Sequence, residues 1–255
     1  MNILFTICGR AGSKGVKNKN IKDFCGAPMV YYSLAAIKLY MEIYGIEASC
    51  TVALNTDSEE LISIVTRQKQ LPVRVIRREE SLGGDSVPKV TVISDCLDRV
   101  ENKTDQKFDM VVDLDITSPL RTVEDVRNAI DKKTERTDAD VVYSVTTSRR
   151  NPYFNMVKEE TGFFVKAVKS EYTSRQQAPV FYDMNASIYA YSPDALRNKD
   201  AKLFFNDRAD AVVMKDTGVL DIDSNEDYEL MQVIAAYLYG SDERFDKIKR
   251  IAMSF

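Results

Sequence analysis

Residues 9–20, GRAGSKGVKNKN, carry four cations and no acid, with a glycine at every third position from Gly9 through Gly12 to Gly15. Glycine admits positive φ and close backbone approach, so successive N–H groups of such a loop can converge on phosphate oxygens while Arg10, Lys14 and Lys19 supply charge. The spacing is not that of a Walker loop, because the Gly-Lys-Ser/Thr ending is absent, nor is it G-x-G-x-x-G. A nucleotide site of another kind is left, with a solvated basic turn as the alternative.

Acid pairs supply the complementary chemistry. Asp221 and Asp223 flank Ile222 where a strand should end, and the two-residue period of a strand sends both carboxylates to one side. Mg²⁺ takes one or two protein carboxylates together with water and substrate phosphates, so this pair facing a triphosphate is chemically sufficient. The alternative is that Asp223 only helps a turn. Asp113 and Asp115 form a second alternating pair, followed by Ile116-Thr117-Ser118-Pro119-Leu120-Arg121. Arg77 and Arg121 each stand beside a strand end and suit phosphate or carboxylate recognition. Farther on, Arg175-Gln176-Gln177, Asn185 and the apolar pair Phe204-Phe205 offer amide, guanidinium and aromatic groups fit for a polar sugar bearing a carboxylate.

The elements that must position these residues alternate. Strand-like runs at 2–8, 49–55, 73–77, 109–115 and 140–147 are separated by helical patterns, as in βαβ units with a mostly parallel sheet. Pro28 and Gly45 bracket the first helix, and residues 87–101 supply the third. Asp57 with Glu60, Thr122 with Asp125 and Ser224 with Asp227 read as capping boxes. From 150 to 180 the pattern changes to short strand-like pieces around Gly162, rich in aromatic residues, and reads as a hairpin-like excursion. The chain then returns through strands at 186–191 and 219–221 to a long helix ending near Gly240.

Composition narrows the chemistry. The 255 residues are 44% hydrophobic and 29% charged, which suits one large α/β domain over 1–255. A net charge of −4 argues against general nucleic-acid or membrane-surface binding. Four scattered cysteines lack metal or redox spacing, and no segment reaches the ~20 apolar residues of a membrane span, so a cytoplasmic location is the expectation. There is no histidine at all, which removes Ser-His-Asp and Cys-His nucleophile systems and histidine-ligated metals.

In their order along nearly the whole chain, these pieces resemble the acylneuraminate cytidylyltransferase family, the synthetases that join sialic acid and related nine-carbon 2-keto sugar acids to CMP. The resemblance rests on Arg10, Gly12-Ser13-Lys14-Gly15 and Lys19-Asn20, then Asn55-Thr56-Asp57, Arg77, Asp85-Ser86 and Thr117-Ser118-Pro119-Leu120-Arg121. Arg175-Gln176-Gln177, Asn185, Tyr189, Phe204-Phe205 and Asp221-Ile222-Asp223 complete it. It implies a three-layer α/β fold of Rossmann-like nucleotidyltransferase type, with the excursion at about 150–180 serving dimerisation and reaching over a partner's site. It also implies that Gly9, Arg10, Gly12, Ser13, Lys14, Lys19, Asn20, Arg77 and Asp115 hold CTP, with Arg10 and Lys19 at the reacting phosphate, and that Asp221 and Asp223 bind Mg²⁺. Arg175, Gln177, Asn185, Tyr189, Phe204 and Phe205 would face the sugar acid, Arg175 across a homodimer interface.

Four places depart from the family pattern: Cys8-Gly9, Pro88-Lys89, Asp115 in place of glutamine, and Ala186 in place of glycine. An ionised Asp115 only accepts hydrogen bonds, so near the base it would take the amino group of cytosine or the paired donors of guanine, which leaves GTP as an alternative to CTP. A more apolar pocket would suit legionaminic or pseudaminic acid. Two other classes compete: a sugar-nucleotide glycosyltransferase with Asp113 and Asp115 as its metal pair, and a noncatalytic nucleotide-binding protein.

Overall fold

The computed structural model describes residues 1–12, 15–46, 49–84, 86–200, 202–218 and 221–255. Strand β1 (Ile3–Cys8) is buried almost throughout, as a strand covered on both faces must be. It lies between β4 (Cys50–Thr56) and β6 (Met110–Leu114) and is parallel to both, with β5 (Arg74–Arg77) beyond β4. On the other side, β10 (Tyr182–Tyr191) runs antiparallel between β6 and β7 (Val141–Thr147), and β11 (Ala209–Val213) closes that edge parallel to β7. The seven-stranded order is therefore β11-β7-β10-β6-β1-β4-β5. A small hairpin of β2 (Asp23–Phe24) and β3 (Ala27–Pro28) leads into the first helix.

Alternation along β1 divides the core. Ile3, Phe5 and Ile7 join the cluster beneath helices α1 (Met29–Tyr44), α4 (Val123–Glu135), α6 (Asn225–Ser241) and α7 (Glu243–Ser254), with α2 (Glu59–Arg67) at its margin. Leu4 faces the opposite cluster under α3 (Lys89–Thr104) and α5 (Pro193–Arg197). Three layers result, in agreement with the sequence reading.

Local signals act as their chemistry dictates. Gly45 ends α1 at φ 62°, donating its N–H to the Met41 carbonyl. Thr122 with Asp125 and Ser224 with Asp227 form reciprocal capping boxes. The cap of α2 is Ser58, which accepts from the Leu61 N–H; Asp57 does not serve there, because its carboxylate takes the Ala11 N–H at 2.7 Å. Between Glu160 and Phe163, Gly162 at φ 81° turns β8 (Val157–Glu160) into β9 (Phe163–Lys166), the hairpin anticipated within the excursion. Val219 and Leu220 of the expected strand at 219–221 lie outside the described residues, and Asp221 sits in a bend. The edge strand β11 and the last helix α7 have no counterpart in the sequence reading.

Candidate active site

The chain passes from β1 outward through β4 to β5, then returns to place β6 on the other side of β1. Loops leaving the carboxyl ends of β1 and β6 therefore diverge, and open α/β sheets bind ligands in the crevice so formed. A cleft of about 420 Å³ lies there, lined by Gly9, Arg10, Gly15, Lys19 and Asn20 from the basic loop and by Asp115, Thr117, Asp221 and Asp223 from the acidic side. Cys8, Arg78, Leu82, Gly84, Val87, Lys89 and Val92 form its remaining wall.

Backbone chemistry shapes the loop. Gly12 takes φ 70°, the left-handed region that favours glycine. Asp57 holds the Ala11 N–H, and Asn20 donates its side-chain amide to the Arg10 carbonyl at 3.2 Å. Asn18 in the left-handed conformation then starts the short turn that carries Lys19. The Lys19 ammonium donates to the Ile222 carbonyl at 2.6 Å and lies 3.3 Å from Asp223 Oδ1. Gly15 presses so closely on the same segment that a Cβ there would stand 1.8 Å from the Asp223 carbonyl oxygen. Ser13 and Lys14 lie outside the described residues.

Asp221 and Asp223 both reach the cleft, but through a bend, with Ile222 buried between them and its N–H bonded to the Thr117 carbonyl at 3.2 Å. Burial, and next the charge of Asp115, push the Asp221 carboxyl above its usual range. A half-buried carboxylate facing others is a donor short of positive charge, and that fits Mg²⁺. Among the described residues no three acidic, thiol or imidazole groups gather to hold an ion unaided, so phosphate oxygens and water would complete its coordination.

Asp115 is more committed than its sequence context suggests. Its Oδ1 accepts from both the amide of Thr117 at 3.0 Å and the Thr117 hydroxyl at 2.8 Å, while its Oδ2 pairs with Lys89. Burial raises its pKa, but Lys89 and Thr117 outweigh this and hold it at about 2. Its two oxygens thus take three contacts from within the chain, and Asp115 lines the cleft as the sequence expects of a nucleotide-binding residue. Lys89 also pairs with the fully buried Asp113 at 2.7 Å.

Several other residues stand elsewhere than expected. Arg77 points to solvent and pairs with Glu59; the neighbouring Arg78 lines the cleft, its guanidinium held by the side chain and carbonyl of Asn55. One position along a strand reverses the face, which explains the exchange. Arg121 is 0% exposed and donates to Ser187, Ser33 and the carbonyls of Asp115 and Ser118, so it braces the loop after β6 and contacts no ligand space. Burial lowers its pKa to about 10, leaving it a cation at neutral pH.

Tyr189 stands beside Asp113 in the sheet, its ring 5.4 Å from the Lys89 ammonium and packed on Phe204. Burial raises its hydroxyl to about 12, so it stays protonated. Phe204 joins Tyr143, Tyr189 and Tyr191, whereas Phe205 is 78% exposed. Asn185 is buried at an irregularity of β10, accepting from Ser144 at 2.6 Å. Arg175 and Gln177 lie in the excursion: Arg175 donates to the Arg149 carbonyl, and the side-chain Oε1 of Gln177 accepts from the Thr173 and Ser174 N–H groups, capping its own short turn. Neither lines the cleft of its own chain.

The sequence reading missed Arg78 and Lys89 as cleft residues. Lys89 had a signal: a lysine in the first turn of a helix sits at the positive end of the dipole, and needs acids nearby to be tolerated.

Known proteins resemble this chain over most of its length. It is 36% identical over 235 residues to the CMP-N,N'-diacetyllegionaminic acid synthase of Campylobacter jejuni serotype O:2, covering 91% of this chain and 94% of that one. Identity is 34% over the same coverage to the post-translational flagellin modification protein B of Campylobacter coli. Among solved structures, CMP:2-keto-3-deoxy-manno-octonic acid synthetase complexed with CTP superimposes with a TM-score of 0.63 at 17% identity, covering 93% of this chain and 99% of that one, a likeness of fold. The cytidylyltransferase family model matches residues 4–250, and the chain belongs to that family.

Proposed function

We propose that this enzyme joins CTP to a nonulosonic acid, the anomeric hydroxyl of the sugar attacking the α-phosphorus and pyrophosphate leaving. The observation that carries the reading is the contact of Lys19 with the 221–223 segment, which brings the cationic loop and the acid pair to one cleft. Arg10 and Lys19 hold the phosphates and balance charge that develops on the transferring phosphoryl group and the leaving pyrophosphate. Mg²⁺ held by Asp221 and Asp223 would supply further charge balance and favour the ionised hydroxyl. Arg78 and the apolar wall of Leu82, Val87 and Val92 suit the nucleoside end.

For the sugar we favour an acid of the diacylated legionaminic type, on the strength of the relative so named. The excursion exposes Phe163 and Phe164, each at 74%, which supports a homodimer in which 150–180 of one copy reaches the other and delivers Arg175 and Gln177. The whole chain then acts as one nucleotidyltransferase domain in the cytoplasm.

The test is pyrophosphate release from CTP, GTP and UTP with legionaminic, pseudaminic and N-acetylneuraminic acids in turn. Turnover with CTP and a legionaminic acid above every other pair is the predicted result; release with none of the sugar acids removes the reading.

A further inference from the structure

Lys89 joins two carboxylates on one side of β6. Its ammonium is 2.7 Å from Asp113 Oδ2 and also pairs with Asp115 Oδ2. Asp113 is wholly buried, and its other oxygen takes the Thr6 hydroxyl at 2.7 Å. Two acids at alternate positions, at the edge of a cleft built for phosphates, form the oxygen pair that a divalent ion seeks. Here a tethered ammonium fills the space between them.

The consequence reaches across the cleft. With its Oδ2 fastened by Lys89, Asp115 anchors Thr117 through both the amide and the hydroxyl, and the Thr117 carbonyl accepts the Ile222 N–H. A continuous line of hydrogen bonds thus runs from Lys89 to the segment bearing Asp221 and Asp223. We propose that Lys89 is a resident cation: it occupies the position between Asp113 and Asp115 that a divalent ion would otherwise take, and through Asp115 and Thr117 it positions the Asp221/Asp223 segment. A fixed ammonium confers this order at any metal concentration, and it keeps the exchangeable ion away from the sheet. Lys89 is on this account a positioning residue. The ion count that tests it is independent of the proposed reaction, whereas the turnover measurement rests on it.

The test counts Mn²⁺ bound to the full-length chain by electron paramagnetic resonance, for the wild type, Lys89→Met and the double variant Lys89→Met/Asp113→Asn, with circular dichroism as the check on folding. Lys89→Met should bind one more Mn²⁺ than the wild type at equal free metal, and the double variant should lose that ion. Pyrophosphate release by Lys89→Met should fall at least tenfold and recover in part with added ethylammonium, a small amine that can enter the vacated place. If Lys89→Met folds only with metal or amine present, a rise of its thermal midpoint with Mn²⁺ larger than that of the wild type gives the same support. An unchanged Mn²⁺ count in a folded Lys89→Met, or wild-type turnover by the double variant, overturns the proposal. A wild type that binds no Mn²⁺ would count against Asp221 and Asp223 as metal ligands, while leaving the extra ion of Lys89→Met open to the same count.

Discussion

Lys19 Nζ stands 3.3 Å from Asp223 Oδ1 although 204 positions separate the two residues. The pair is exposed on the Asp223 side, 80% of whose side chain is open to solvent, so its Coulomb energy alone is small. Its significance is geometric, because it fixes where the first loop and the chain beyond β11 meet.

Gly15 tests that geometry without removing a charge. A Cβ at Gly15 would meet the Asp223 carbonyl oxygen at 1.8 Å, so Gly15→Ala must displace the acidic segment, the loop, or both. Pyrophosphate release should fall about a hundredfold, the scale on which a misplacement of about 1 Å acts, with little change in the thermal midpoint. Unaltered turnover would show that the two segments are free to part.

Arg77 and Arg78 should behave oppositely. Arg77→Ala removes a solvent-screened ion pair to Glu59 and should leave the thermal midpoint and CTP kinetics intact. Arg78→Ala removes a cleft-lining cation and should raise the KM for CTP about tenfold or more. Steady-state kinetics of the two variants side by side decides between them.

Arg121 is a structural cation. Its removal takes a donor from the hydroxyls of Ser187 and Ser33 and from the carbonyls of Ser118 and Asp115, of which the Asp115 carbonyl keeps the Ser33 hydroxyl. Arg121→Met should therefore cost about 3 kcal/mol or more, read as a lower urea midpoint at unchanged slope. A variant of wild-type stability that merely bound CTP poorly would instead make Arg121 a ligand contact.

Ala186 holds φ 51° at the irregularity of β10, a conformation that costs a side chain about 1 kcal/mol. Ala186→Gly relieves that strain but adds freedom to the unfolded chain, and the relief should win by a few tenths of a kcal/mol. Thermal unfolding should show a midpoint raised by about 1 °C. A lowered midpoint would mean that the Ala186 methyl makes contacts worth more than the strain.

Much of this was legible before the fold. Buried strands announce themselves as apolar runs, which is why β1, β4, β6 and β7 fall where the sequence places them, and the capping boxes at Thr122 and Ser224 are local chemistry. Edge strand β11, ADAVV, is only half-buried and carries an acid, so its pattern is weak. The face of Arg77 depends on register to one residue, which sequence period alone does not fix. Arg121 resembles a phosphate ligand because the same fork of donors that grips phosphate also grips hydroxyls and carbonyls. Lys89 has meaning only once α3 lies across the end of β6, a relation made by packing between distant elements.

One bound triphosphate and its metal should engage the first loop and the Asp221/Asp223 pair together. Calorimetric titration of CTP with and without Mg²⁺, for the wild type and Asp221→Asn/Asp223→Asn, tests it most directly. Mg²⁺ should tighten CTP binding by the wild type at least tenfold and leave the double variant's affinity unchanged. Equal tightening in both proteins would contradict the account.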